Sequence, residues 1–150
     1  MTMIDRRSRV VEASRGCFLF QADELPQQGE RAEYGFLLVD SGWGQLELLT
    51  DDEDGLVDLT VEVHDEPPPA SPETWQESVT AVVRWERVTT ARIRQLDVDL
   101  AEEWEVVLPA PHFVFRAHRL PDGERERWLL RLWPATDWTQ AYSSAAWPAT

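Results

Sequence analysis

Apolar residues recur at every second position along much of this chain, which constrains it to β-structure more than any other feature does. Leu59, Val61 and Val63 alternate with Asp58, Thr60, Glu62 and His64, the pattern of a strand with one face buried and one in water. Val79, Ala81, Val83 and Trp85 alternate in the same way with Thr80, Arg84 and Glu86. Phe113, Phe115 and Ala117 oppose Arg116 and His118, and Trp128, Leu130 and Leu132 flank Arg131. Less regular strands are expected over Val10–Gln21, Gly35–Asp40, Gln45–Thr50, Arg92–Leu100 and Glu105–Leu108. Helical periodicity is poor throughout, apart from a single turn expected over Ala101–Trp104.

Turn chemistry separates these runs. Asp40-Ser41-Gly42, Asp54-Gly55 and Pro121-Asp122-Gly123 supply residues that reverse the chain. Pro67-Pro68-Pro69, with Pro72 after it, makes a stiff extended loop. Pro109-Ala110-Pro111 parts two strands. Eight or nine short strands at this spacing predict an all-β chain, a single-domain antiparallel β-sandwich of jelly-roll-like form. The sandwich is expected over residues 1–133, with 134–150 as a C-terminal tail.

A length of 150 residues suffices for one core without disulfide staples. The single cysteine, Cys17, cannot form an intramolecular disulfide and fits a reducing interior, with the side chain as a small buried hydrophobe. No apolar run approaches the roughly 18 residues of a membrane span. The expected location is cytoplasmic, with no membrane partner.

Charge gives the partner a sign. The chain carries 28 Asp and Glu against 14 basic residues, all of them arginine, for a net charge of −14. Such a surface repels nucleic acid and attracts a basic protein. The acids concentrate in two runs: Asp51, Asp52, Glu53 and Asp54, then Asp97, Asp99, Glu102 and Glu103. These eight residues are the expected partner-binding patches, with Trp43 and Trp104 as exposed aromatic anchors.

Catalytic and metal readings of the same residues fare worse. An EF-hand loop with its glycine at Gly55 requires a glutamate where Val61 stands, so the first run is a solvated turn. Asp97 and Asp99 share a strand face, but the companions of a glycosidase pair are missing. His64, His112 and His118 share no ligand spacing, and His64 and His118 are expected on polar strand faces. Cys17 has no flanking base, and no serine sits in a nucleophile elbow. No cofactor, metal or catalytic residue is therefore expected, and the chain reads as non-enzymatic. The alternative is a small-molecule or carbohydrate-binding sandwich using the loop tryptophans Trp43, Trp75, Trp104, Trp138 and Trp147.

The order of segments resembles the competence protein J (ComJ-like) family. The resemblance runs from the Val10–Gln21 strand, closing in Phe18-Leu19-Phe20-Gln21, through Tyr34-Gly35-Phe36 and Gln45-Leu46-Glu47 to Val57–Val63. It resumes at Leu108-Pro109, Phe113–His118 and Trp128–Trp133, covering roughly residues 10 to 133. The resemblance implies a small acidic β-sandwich that inhibits a secreted or membrane-bound nuclease through protein–protein contact. No family binding motif maps onto individual positions.

Overall fold

The computed structural model describes residues 3–23, 31–40, 44–51, 55–85, 88–95 and 104–135. Eleven strands occupy them: β1 (Met3–Ala13), β2 (Cys17–Ala22), β3 (Arg31–Tyr34), β4 (Leu37–Asp40), β5 (Gln45–Leu49), β6 (Gly55–His64), β7 (Glu77–Arg84), β8 (Thr90–Arg94), β9 (Trp104–Val107), β10 (His112–Asp122) and β11 (Arg125–Pro134). No helix among the described residues is long and apolar enough to cross a membrane. The expected single turn at Ala101–Trp104 lies outside them except for Trp104, which begins β9.

Two sheets form the sandwich, one of five strands in the order β1-β6-β11-β10-β7 and one of six in the order β3-β4-β5-β2-β8-β9. Every pairing is antiparallel except β6 with β11, which run parallel. The all-β sandwich is as the alternation predicts, but eleven strands replace eight or nine. One reason is that Val10–Gln21 is not one strand. Ser14 and Cys17 exchange backbone hydrogen bonds across Arg15 (φ 56°) and Gly16 (φ 79°), a primed turn that carries the chain from one sheet to the other. The other reason is β3, a four-residue strand that continues no alternating run.

Inward-facing residues of both sheets meet in one core. Phe18 packs edge-on against Trp128 at 5.1 Å, and Phe20 meets Phe115 at 5.1 Å and stacks on Trp85 at 5.9 Å. Trp85, Trp128, Phe113 and Phe115 are fully buried, as strand parity requires. Pro134 ends β11, and the Ala135 N–H still donates to the His112 carbonyl; residues 136–150 of the expected tail lie outside the described residues.

The connection from β6 to β7 shapes the outer surface. These strands lie three positions apart in the five-stranded sheet, so residues 65–76 cross over the outer faces of β11 and β10. The proline-rich loop is thus a strap. It is tied down where Pro69 accepts a 2.8 Å hydrogen bond from Arg131 and where Trp75 stacks on His118.

Candidate functional site

Antiparallel register ends β5 and β8 at one pole of the six-stranded sheet. β5 and β8 flank β2, and both end where β2 begins: Leu49 pairs with Cys17, and Arg94 with Leu19. The run Asp51–Asp54 follows β5, and 97–103 follows β8. In the other sheet the same end carries the start of β6, where Gly55 pairs with Ala13, the β10–β11 turn, where Asp122 pairs with Arg125, and the start of β7 at Glu77. Exposed Glu12, Asp51, Glu77, Asp122 and Glu124 decorate this pole.

Of the predicted partner-binding residues, Asp51 is exposed and firmly placed. The buried Glu126 carboxylate accepts its backbone N–H at 2.9 Å and also the Trp128 indole N–H at 3.0 Å. Arg119 lies over the Phe36 ring, donates to the Leu49 carbonyl, and reaches Asp51 at 3.2 Å and Glu77 at 2.7 Å. One guanidinium thus serves two carboxylates, leaving a net negative charge between them. Asp52, Glu53, Asp54, Asp97, Asp99, Glu102, Glu103 and Trp43 lie outside the described residues.

Trp104 requires a correction. It is 3% exposed and cannot be a surface anchor, because it begins β9 on the inward parity with Val106 and lies beneath the Arg9 guanidinium. Cys17 is half-buried, and burial, with Glu47 nearby, pushes its thiol up, away from the reactive thiolate.

The outer face of the five-stranded sheet holds a second polar assembly. Register sets Arg6, Glu62, Arg131, Arg116 and Thr80 in one row across all five strands, with Ser8, Thr60, Leu129, His118 and Ser78 in the next. Glu62 Oε1 accepts from Arg131 Nε at 2.9 Å and contacts His64 Nε2 at 2.9 Å, while Oε2 accepts from Arg6 at 3.2 Å. Burial alone raises the Glu62 carboxyl, but the hydrogen bonds from His64 and Arg131 and their charges outweigh it and hold it below the usual range. Glu62 is therefore held ionised, the opposite of what a general acid needs.

His118 sits 8% exposed beneath Trp75, its Nδ1 bonded to Ser78 Oγ. Burial pushes its imidazole down, and the Arg116 and Arg131 guanidiniums push it further, to about 4, against an opposing pull from Glu62. His64 and His118 do face outward, as their parity predicts. They are nonetheless buried, because the strap covers that face.

Tryptophan geometry bears on the sugar-binding alternative. Trp75 is partly buried, stacked on His118, and has the Arg127 guanidinium 5.9 Å from its ring centre. Trp104 is in the core, and Trp43, Trp138 and Trp147 lie outside the described residues. Beside the strap, a groove of about 530 Å³ runs along β1, bounded by Arg6, Ser8, Val10, Thr60, Trp75 and Arg127.

No protein-family model matches this chain, and no curated protein sequence matches it. Among solved structures, a protein described as "Crocagin biosynthetic gene J" is similar in fold, with a TM-score of 0.56, 11% sequence identity, and coverage of 90% of this chain and 99% of that one. At that identity the likeness is one of fold alone.

Proposed function

We propose that the protein is a non-enzymatic binding module whose acidic pole engages a cationic protein surface, and that the partner is a basic enzyme such as a nuclease, which it inhibits. The observation that carries this reading is that β5 and β8, the strands the two acidic runs follow in sequence, flank β2 and end at the same pole. Asp51 is held there by Glu126 and Arg119, so part of the negative surface is preorganised. A nuclease holds its substrate phosphates in a cationic groove, and a rigid carboxylate cluster presents a similar field to it. The resemblance to the competence protein J family supports the same choice of partner. The sugar-binding reading loses Trp104, which is buried, and keeps only Trp75 among the described loop tryptophans, already stacked on His118.

The test is inhibition. Purified protein is added at stoichiometric amounts to a panel of cationic DNases and RNases, at about 0.05 M and about 0.5 M salt. Inhibition at low salt that fades at high salt supports the proposal. No inhibition across the panel, or inhibition indifferent to salt, argues against it.

A further inference from the structure

We propose that the groove beside the strap binds a neutral oligosaccharide, held by planar polar groups and hydroxyls and packed against Trp75. Its floor is one row of the five-stranded sheet: Ser8 on β1, Thr60 on β6 and Leu129 on β11. The next residue of that row is His118 on β10, and Trp75 stands stacked on it as the far wall. From Ser8 to His118 the row crosses three interstrand spacings, about 14 Å, more than one sugar ring needs. The groove volume of about 530 Å³ falls within the roughly 300–1,000 Å³ of small-molecule sites.

The lining charges cancel, with Arg6, Arg9 and Arg127 set against Asp58, Glu73 and Asp122. Several are already paired within the protein: Arg127 with Glu73 at 3.4 Å, Asp58 with Arg125 at 2.9 Å, and Arg6 with Glu62 at 3.2 Å. An anion or a cation entering here meets its own sign as often as the opposite one, so charge selects neither. An apolar ligand would strip water from these groups and give them no hydrogen bond in return. A neutral ligand rich in hydroxyls avoids both penalties.

Hydrogen-bonding capacity remains where such a ligand would lie. Ser8 Oγ and Thr60 Oγ1 share one bond of 2.7 Å, which uses one of their two protons and leaves the other to donate. Arg125 holds Asp58 through Oδ1, and Arg127 meets Glu73 through Nη2, so Asp58 Oδ2 and the other Arg127 nitrogens keep their capacity. Carboxylate and guanidinium each present a planar pair of sites, a match for neighbouring hydroxyls on a sugar ring. Trp75 supplies an apolar surface for the C–H face of that ring. Its indole is fixed in advance by the stack on His118 at 5.4 Å and by its N–H donating to Ser71 Oγ at 3.1 Å, so binding need not order it. The groove shares only Asp122 with the acidic pole, so the two sites are tested apart.

The probes are the neutral trisaccharides maltotriose, cellotriose, chitotriose and mannotriose, with trigalacturonate as an anionic control and the chitosan trimer as a cationic one. Amide and indole NMR shifts on the whole chain locate the contact and give the affinity. At least one neutral trisaccharide is expected to shift Ser8, Thr60, Arg127 and the Trp75 indole N–H together, with an affinity that holds between about 0.05 M and about 0.5 M salt. Trp75→Ala weakens that binding by about tenfold. S8A/T60V removes both hydroxyls of one hydrogen bond and so orphans neither; it keeps the fold and weakens binding by about fivefold, which decides the matter should Trp75→Ala unfold. No shift with any neutral trisaccharide, shifts away from the groove, or unchanged affinity in S8A/T60V overturns the proposal. So does tighter binding of either charged control at the same residues.

Discussion

Acid should loosen the strap's grip on the five-stranded sheet, and His118 sets the window. Its imidazole titrates near 4 in the folded protein and near 6.5 in an unfolded chain. The unfolded state therefore binds the proton more readily between those values, so stability is complete above about pH 6.5 and declines as pH falls toward 4. From about pH 7.5 to about pH 5.5 the linkage amounts to about 1.3 kcal/mol for this one group. The assay is urea unfolding followed by tryptophan fluorescence at both pH values, on wild type and on His118→Phe. Phenylalanine keeps the ring stacked under Trp75 and cannot take up a proton. The variant should be less sensitive to this pH step by about 1.3 kcal/mol. Identical pH dependence in the two proteins would refute the assignment of a depressed, buried imidazole.

Three further outcomes follow from the same geometry. Arg131→Met removes one of the three side-chain partners of Glu62 and the tie to the Pro69 carbonyl, leaving Arg6 and His64 on the carboxylate, and should cost about 1.5–3 kcal/mol by chemical denaturation. Trp85→Ala removes a fully buried indole from beside Phe20 and Phe113, and should cost about 3–5 kcal/mol in the same assay. Gly35→Ala forces a side chain into positive φ (60°) with room beside Val79, so thermal unfolding should show a loss of about 1 kcal/mol, of backbone origin.

The fold was legible in the sequence wherever alternation was clean. The even positions of β6 and the odd positions of β10 are assigned to opposite faces by parity alone, and the structure keeps them there. Trp104 shares its parity with Val106 and Leu108, a signal of burial that its acidic neighbours mask. Other features leave no local trace. The parallel pairing of β6 with β11 depends on where the strap carries the chain, and nothing in Pro67–Pro69 states a destination. Burial of His64, His118 and Arg131 is likewise a consequence of that crossing, so an outward-facing polar residue was indistinguishable from a solvated one. That β5 and β8 end at the same pole is also non-local, since it arises from both pairing with β2.

A protein that engages cationic surfaces through the pole where β5 and β8 end must bind cations there and not elsewhere. An NMR titration of the whole chain with an octa-arginine peptide tests this most directly. Amide shifts concentrated at Asp51, Gly55, Glu77, Asp122 and Glu124, and abolished by about 0.5 M salt, are the predicted result. Shifts scattered over the strap and the opposite end of the sandwich, or no shifts at all, would contradict it.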